Sequence, residues 1–263
     1  AHPDGELAMA RAAGTAGTIM TVSTVANHTL EEIAGVTTSP LWLQLYVYRD
    51  RNVSAMLVQR AHAAGYRAIV LTVDLPYLGK RERERRNNFV IPPPPLLAAN
   101  FTGRYATGSE MSPLLTWETV SWLRSLSPLP ILLKGIVTAE DALLAVEHGV
   151  DGIIVSNHGG RQLDSEISTI EALPEIVEAV AGRCEIYMDG GIRRGTDIVK
   201  ALALGARAVL VGRAPLWGLA VNGQQGIEHV LQILREELEL AMALCGKPTL
   251  AEIDRSLVKW QVM

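Results

Sequence analysis

Residues 152–164 read GIIVSNHGGRQLD. The first four residues form a short apolar run, and this run ends abruptly in a polar turn that contains two glycines. Such a pattern is typical of a buried parallel strand that delivers side chains to its C-terminal end. The stretch therefore predicts an α/β protein whose functional groups gather at one end of a parallel sheet.

Two side chains in this turn suggest a chemistry. His158 can exchange a proton near neutral pH, and Arg161 can hold a carboxylate through a two-pronged hydrogen bond. The glycines between them, Gly159 and Gly160, let a substrate or cofactor approach the backbone closely. A histidine base beside an arginine anchor is what the oxidation of a small anionic acid at its α-carbon requires, and this is our first hypothesis.

Seven apolar strand candidates alternate with amphipathic helical segments along the chain. The strand candidates are residues 17–22, 41–47, 68–73, 131–134, 152–156, 185–189 and 208–212. The helical segments include residues 51–64, 139–148, 170–181 and 195–204. A glycine, the usual residue after a helix end, follows each of these segments: Gly65, Gly149, Gly182 and Gly205. Strict alternation predicts parallel βα units with helices covering the sheet.

Seven strands do not close a (β/α)8 barrel. Residues 6–14 resemble a helix that precedes the strand at Gly17, which makes that strand the second of eight. We therefore expect one domain, residues 1–263, that folds as a (β/α)8 TIM barrel with strands two to eight present and the first strand missing upstream of Ala1. The opening residues resemble neither a signal peptide nor a natural translation start. A complete doubly wound sheet is the alternative, although polar groups at almost every strand end favour the barrel.

The overall composition excludes several classes of protein. The chain has 263 residues, of which 48% are hydrophobic, and its formal net charge is −4. A nucleic-acid-binding protein would carry a dominant basic surface, so no nucleic-acid partner is expected. No apolar run reaches the roughly 18 residues that would indicate a membrane span. Cys184 and Cys245 match no pairing motif and fit reduced packing residues of a cytoplasmic protein.

An insertion at residues 78–115 interrupts the regular spacing, and we expect it to be a variable loop or lid at the C-terminal mouth. Residues 80–86 read KRERERR, and most of these charges fit a solvated face. Arg81 is the exception because it lies closest to the strand end. The four prolines at residues 92–95 predict an extended segment. Several apolar residues could cover a substrate ring or merely pack the lid onto the barrel: Phe89, Val90, Ile91, Leu96, Leu97, Phe101 and Tyr105.

The polar residues at the strand ends form a coherent set. In chain order they are Ser23, Gln44, Tyr46, Thr72, Asp74, Lys134, His158, Arg161, Asp189, Arg193 and Arg213. Barrel enzymes place a phosphate site in the loops after strands seven and eight. Residues 189–193 (DGGIR) and the pair Gly212-Arg213 fit that site, with open glycine amides and guanidinium groups to meet a dianion. A plain tight turn is the alternative.

Two charged residues near the strand ends have open interpretations. A lysine that follows the apolar residues 130–133 is costly to bury without an anion. Lys134 is therefore either in a salt bridge or beside a cofactor that becomes negative on reduction. Asp74 either caps the following loop or orients His158 and stabilises its imidazolium, as the aspartate of a catalytic triad does. No spacing of Cys, His and carboxylate residues indicates a metal site.

These motifs together resemble a known family. Residues 156–164 are similar to the active-site signature of the FMN-dependent α-hydroxy acid oxidases and dehydrogenases, the family of glycolate oxidase, lactate oxidase and mandelate dehydrogenase. The resemblance covers essentially the whole chain, and within the family the sequence is most similar in texture to hydroxymandelate oxidases. Further matching segments are residues 44–48 (QLYVY), 71–74 (LTVD), 132–135 (LLKG) and 189–195 (DGGIRRG).

The resemblance implies a role for each strand-end residue. The flavin would be lined by Ser23, Gln44, Thr72, Lys134 and Ser156, and its phosphate would bind Asp189, Gly190, Gly191, Arg193, Gly212 and Arg213. His158 would be the base, with Asp74 behind it. The substrate would be bound by Tyr46, Arg81 and Arg161. The family supplies a further tyrosine and part of the flavin pocket from a segment before Ala1, so the resemblance also implies an N-terminally incomplete chain.

We therefore expect an FMN enzyme that oxidises an (S)-2-hydroxy acid to the 2-oxo acid, with an aromatic substrate such as mandelate or 4-hydroxymandelate. Oxygen or another acceptor would reoxidise the flavin. The residues leave open whether hydride leaves the α-carbon or His158 first removes a proton. The resemblance implies a homo-oligomer, specifically a tetramer. Two alternatives remain at this point: another FMN barrel such as an isomerase, and a non-catalytic flavin-binding fragment.

Overall fold

The computed structural model describes residues 2–89, 99–101 and 110–259. Its seven strands form one sheet in chain order, and each strand pairs with the next in parallel. They are β1 (Met20–Ser23), β2 (Leu41–Leu45), β3 (Ala68–Thr72), β4 (Ile131–Ile136), β5 (Gly152–Val155), β6 (Glu185–Met188) and β7 (Ala208–Val209). The predicted parallel α/β architecture is therefore confirmed.

The sheet curls around a common axis. Trp42 on β2 and Tyr187 on β6 meet edge to face, with ring centroids 5.4 Å apart. In a flat sheet, four inter-strand steps of about 4.8 Å would separate these strands by about 19 Å. The seven strands therefore curve around a common axis, as the strands of a (β/α)8 barrel do. The doubly wound alternative is wrong because that fold does not keep its strands in chain order across the sheet.

Helices connect and cover the strands. They are α1 (Gly5–Ala16), α2 (Leu30–Ala34), α3 (Arg51–Ala63), α4 (Glu82–Arg86), α5 (Glu118–Leu126), α6 (Ala139–Glu147), α7 (Thr169–Val180), α8 (Gly195–Ala203) and α9 (Arg213–Leu244). The glycines expected just after α3, α6, α7 and α8 all have positive φ, as helix ends of this type require. The long helix α9 is interrupted by non-helical backbone at Asn222 and Gly223.

Successive strand residues face opposite sides of the sheet and build two separate apolar layers. One set packs against the helices in the main core and includes Leu43, Ile69, Leu133 and Ile153. The other set fills the barrel interior, with members Ala68, Val70, Leu132 and Ile154 and the neighbouring Trp42, Tyr187 and Leu210. Residues two positions further along these strands point to the same interior at its C-terminal end.

All seven strands differ from their predicted ranges, by at most three residues at either end, and two of these differences help to shape the site. The sequence predicted that strand β7 would extend to residue 212, but the strand ends at Val209. Gly212 is already the N-cap of α9, so the chain has left the sheet by this residue. Strand β4 runs on to Ile136, beyond the predicted end at Lys134, through a shift of register between these two residues. Both differences lie at the C-terminal end of the barrel, where the backbone turns away to form the site.

The insertion at residues 78–115 contains α4, which has no buried residue, in agreement with the expected solvated face. Phe101 packs edge to face on Tyr48 with centroids 5.1 Å apart, which favours the packing interpretation for this aromatic residue. Residues 90–98 and 102–109 lie outside the described residues. The proline run and five of the predicted ring-covering residues belong to these segments: Val90, Ile91, Leu96, Leu97 and Tyr105.

Candidate active site

A layer of polar side chains lies above the apolar interior of the barrel. Four of them each come two residues after an interior apolar residue of their strand: Gln44, Thr72, Lys134 and Ser156. Strand alternation therefore points them inward. Gln44 Nε2 donates to Thr72 Oγ1 at 2.9 Å, and Ser23 Oγ donates to Gln44 Oε1 at 3.2 Å. The structure thus brings together the five residues that were expected to line a flavin.

The ammonium group of Lys134 lies among oxygen atoms. Its Nζ donates to Ser156 Oγ at 2.8 Å and lies 3.5 Å from Asp189 Oδ2 and 3.9 Å from Asp74 Oδ2. The salt-bridge interpretation is therefore correct, because these carboxylates offset the cost of burying the charge. Lys134 also lines an open cavity, so the same ammonium group remains available to a bound cofactor.

His158 and Asp74 form the expected pair. His158 Nδ1 lies 3.0 Å from Asp74 Oδ1, and the Asp74 side chain is only 7% exposed. With Nδ1 engaged, Nε2 is the ring nitrogen left to exchange a proton with a ligand. His158 has φ +55°, a left-handed conformation that few side chains adopt. The backbone N–H of His158 donates to Ser156 Oγ at 3.1 Å, which helps to hold this tight turn.

A glycine makes room for Asp74. Gly135 lies at the register shift of β4 and has φ +114°. A Cβ atom built at Gly135 would lie 2.6 Å from Asp74 Cβ, much closer than two carbon atoms can approach. Glycine at this position therefore lets the carboxylate sit beside both His158 and Lys134.

The two predicted carboxylate anchors, Arg81 and Arg161, meet at a carboxylate of the protein itself. Arg161 Nη2 donates to Glu84 Oε1 at 3.2 Å, and Arg81 Nη1 lies 3.6 Å from the same oxygen. Arg81 is largely buried, and its Nε has no hydrogen-bond partner within residues 2–89, 99–101 and 110–259. The two guanidinium groups thus converge on one point, where they could equally hold the carboxylate of a ligand.

Tyr46 belongs to the same group of side chains. Burial raises the pKa of the Tyr46 phenol, and the negative charge of Asp74 raises it further. The positive charges of Arg81 and Arg161 act in the opposite direction. Tyr46 therefore lies within electrostatic reach of the aspartate and both arginines, as a substrate-binding residue would.

A cavity of about 250 Å³ opens beside these residues. Its lining joins the His158 turn to both predicted phosphate loops and includes Lys134, Arg161, Asp189, Gly190, Gly191, Arg193, Gly212 and Arg213. Helix α9 begins at Arg213, so its first amides and the positive end of its dipole lie at this cavity. Every predicted phosphate-binding residue therefore borders one space.

The lining of the cavity fits a phosphate joined to a hydroxylated chain. Asp189 Oδ1 is buried, and in the part of the chain that the structure describes it accepts no hydrogen bond. A buried carboxylate oxygen without a donor is costly, and a ligand hydroxyl would supply that donor. The guanidinium groups of Arg193 and Arg213 and the start of α9 would meet the phosphate. FMN carries both features, a ribityl chain and a terminal phosphate.

Sequence reasoning gave no role to three residues that the structure places here. Gln162 joins the loops after β3 and β5 through hydrogen bonds to Asp74 and Tyr77, and its position next to Arg161 was the available signal. Glu84 pairs with both anchoring arginines, and its spacing of three residues from Arg81 indicates such a pair on a helix. Trp217 lines the cavity one helical turn after Arg213, and no sequence signal pointed to it.

Other features of the chain bear on its class. The described residues contain no group of three or more His, Cys, Asp or Glu side chains arranged to hold a metal ion. Within the same ranges, no helix combines the length and apolar character needed to cross a membrane. Cytoplasmic localisation and the tetramer stay predictions.

Comparison with known proteins gives a consistent set of relatives. A family model described as FMN-dependent dehydrogenase matches residues 1–260. The chain is 53% identical to an L-lactate oxidase of Nostoc sp., over 98% of this chain and 76% of that protein. It is 51% identical to a glycolate oxidase of Spinacia oleracea, over 97% of this chain and 73% of that protein. It is 50% identical to 2-hydroxyacid oxidase 1 of Mus musculus, over 98% and 75%.

Solved structures agree with these sequence relatives. A mandelate oxidase with benzoyl-formic acid superimposes with a TM-score of 0.90 at 50% identity, over 97% of this chain and 73% of that chain. A variant of mandelate oxidase with (S)-mandelic acid gives a TM-score of 0.90 at 50% identity over the same shares. Both the barrel and the family resemblance of the motifs are therefore confirmed.

Proposed function

The chain belongs to the FMN-dependent dehydrogenase family, and from this membership we propose that it oxidises an (S)-2-hydroxy acid to the 2-oxo acid with His158 as the base. FMN is the cofactor. Oxidation of 2-hydroxy acids is named for several relatives, and this favours the proposed reaction over that of an isomerase. The contact of His158 Nδ1 with Asp74, at a cavity bordered by Arg161, carries the assignment of residues.

The cofactor would be held by the two glycine-arginine loops and by the polar layer. Arg193 and Arg213 would bind the phosphate together with the first amides of α9, and Asp189 would accept a hydrogen bond from the ribityl chain. The ammonium group of Lys134 would lie beside the ring system, where it favours negative charge. When bound, FMN supplies the acceptor for the two electrons that leave the substrate.

His158 would act as the base of the reaction. Conversion of the alcohol carbon to a carbonyl releases two electrons and two protons. His158 Nε2 would accept one of these protons, and the other would pass to bound FMN together with the two electrons. The carboxylate of Asp74, 3.0 Å from Nδ1, would hold the ring in orientation and stabilise the imidazolium that forms. The contact between the two side chains supports the second interpretation of Asp74, in which it orients a base.

The substrate carboxylate would bind Arg161 and Arg81, with Tyr46 close to the hydroxyl or carboxylate. Both guanidinium groups already converge on one carboxylate oxygen of Glu84. Two planar cations around one carboxylate fix both its position and its orientation. The α-carbon would thereby be held between His158 and the cofactor, which lowers the barrier through proximity.

We expect an aromatic 2-hydroxy acid to be the preferred substrate. Three exposed apolar side chains come from the loops that carry the anchoring arginines: Tyr77, Leu78 and Leu163. The superposition on mandelate oxidase with (S)-mandelic acid supports the same choice. Burial of a phenyl ring contributes about 1.5–3 kcal/mol, so kcat/KM for mandelate should exceed that for glycolate by about one to two decades.

The substrate test uses the FMN-loaded protein without oxygen. Each acid, namely (S)-mandelate, (S)-lactate and glycolate, is mixed with the protein, and the loss of visible flavin absorbance gives the rate of reduction. (R)-mandelate serves as the stereochemical control and should leave the flavin oxidised. Equal rates for the three acids, or a preference for glycolate, would contradict an aromatic pocket. No reduction by any of them would contradict the proposed reaction.

Glu84→Gln is expected to lower KM for the hydroxy acid about two- to fivefold. Glu84 occupies the point on which Arg161 and Arg81 converge, so a substrate carboxylate must share or replace it. The pair is partly exposed and therefore contributes at most about 1 kcal/mol, which limits the gain. Steady-state kinetics gives KM, and Glu82→Gln on the same helix is the matched control. A raised KM would show that Glu84 positions the arginines instead of competing with the substrate.

A further inference from the structure

The loop after β3 and the loop after β5 touch backbone to backbone at Gly79. A Cβ atom at Gly79 would lie 2.4 Å from the carbonyl oxygen of Arg161 and 2.7 Å from Gln162 Cα. No side chain fits in that space, so the close approach of the two loops requires glycine. Arg81 follows Gly79 by two residues, and the contact on the other loop is at Arg161 and Gln162, so the two loops meet close in sequence to both anchoring arginines.

The side-chain amide of Gln162 ties these loops together. Its Nε2 donates to the carbonyl oxygens of Asp74 and Tyr77 at 3.0 and 2.9 Å, and its Oε1 accepts from Gly79 N–H at 3.1 Å. Both amide protons and the amide oxygen are thus in use. Glutamate could not donate to the carbonyls, and asparagine is one methylene shorter. The position therefore suits glutamine specifically.

We propose that Gln162 is a positioning residue that sets the distance between Arg81 and Arg161 and holds Asp74 behind His158. The inference rests on the proposed function, which gives Arg81 and Arg161 the substrate carboxylate and gives Asp74 and His158 the proton. A two-arginine site binds a carboxylate well only while the spacing of its guanidinium groups matches the ligand, and a displacement of about 1 Å is enough to weaken it. Gln162 controls that spacing because it lies on the loop after β5 and its three hydrogen bonds all end on the loop after β3.

The proposal is tested with Gln162→Met, which keeps the side-chain length and removes all three hydrogen bonds. The full chain with FMN bound is titrated with oxalate, a dicarboxylate probe of the arginine pair, and the flavin spectrum reports binding. We expect the Kd of oxalate and the KM of the hydroxy acid to rise at least tenfold, with a smaller fall in kcat. FMN content should match that of the parent protein. Gly79→Ala, which separates the loops with Gln162 in place, should give the same result.

Gln232→Met is the matched control, because Gln232 Nε2 bonds Glu236 at 2.8 Å on the exposed face of α9, far from the arginine loops in sequence. It should change neither Kd nor KM. Oxalate binding unchanged in Gln162→Met, whether or not its Tm falls, would overturn the proposal and leave Gln162 a purely structural residue. Should this variant fail to fold, Gln162→Asn is judged by the same criteria.

The same titration separates failure of the positioning role of Gln162 from failure of the proposed function. Arg161→Lys should weaken oxalate binding if the arginines hold carboxylates. Weak oxalate binding in Arg161→Lys, with parental oxalate binding in Gln162→Met, would reject only the positioning role of Gln162. Parental oxalate binding in Arg161→Lys would reject Arg161 as a carboxylate anchor. The positioning role of Gln162 would then have no basis, because it depends on that anchor.

Discussion

His158→Asn is expected to lower kcat by about 10²–10⁴-fold while FMN stays bound, since this is the usual contribution of a positioned general base. Asparagine is the best probe at this position because it tolerates a positive φ, and His158 has φ +55°. Its amide can also still donate to Asp74, which keeps the neighbouring carboxylate paired. The variant therefore removes the titratable ring with little disturbance of the turn. Anaerobic stopped-flow measurement of flavin reduction gives the rate directly.

The control for this variant is His148→Asn. His148 lies at the C-terminal end of α6, and its ring stacks on that of Trp117. The control variant should reduce its flavin at the parental rate. Flavin reduction in His158→Asn as fast as in the parent would show that another group takes the proton. Loss of bound FMN from His158→Asn would instead indicate that the turn is needed to assemble the cavity.

Arg161→Met is expected to lower kcat/KM by about 10²–10³-fold, mainly through a higher KM. Removing one partner of a buried hydrogen-bonded charge pair costs about 2–5 kcal/mol, and each 1.4 kcal/mol is about tenfold. This range applies here only because a bound substrate and cofactor would cover Arg161, whose side chain is 44% exposed without them. Arg161→Lys should fall between this variant and the parent, because an ammonium group keeps the charge but not the planar fork. Steady-state kinetics with one hydroxy acid measures all three proteins.

Arg86→Met is a suitable control, because Arg86 is an exposed arginine of α4 that pairs with Glu82 at 2.7 Å. It should leave KM within about twofold, since exposed ion pairs contribute little. Equal effects of Arg86→Met and Arg161→Met would mean that the general positive charge of this region attracts the substrate. A fall in kcat alone for Arg161→Met would argue against a role in ground-state binding of the carboxylate.

The strands and helices were largely predictable because their signals are local. The apolar run at residues 152–155 and the glycines after four helices are read within a few residues, and the structure confirms them. The strand ends were less predictable. The end of a strand depends on the hydrogen bonds that the neighbouring strand offers, which lie far away in sequence. Strand β7 ends at Val209, yet the N–H of Leu210 still donates to the carbonyl oxygen of Met188 on β6 at 2.8 Å.

The members of the candidate site were also predictable, since parallel strands bring their C-terminal ends to one edge. Their contacts were not. Both interpretations of Lys134 were compatible with its sequence context, and the distances to Asp189 and Asp74 decided that it is paired. The spacing of three residues indicates the pair of Glu84 with Arg81, but no local signal indicates its contact with Arg161, which depends on how the insertion folds back.

The sequence by itself determined the alternation of strands and helices, the polar turn after β5, the family and the residue types available for chemistry. Only the tertiary structure decided which atoms meet: His158 with Asp74, 84 residues apart, and Gln162 with Tyr77, 85 residues apart. The reason is physical. Helix and strand formation responds to interactions over a few residues, whereas these contacts follow from the curvature and register of all seven strands, to which every part of the barrel contributes.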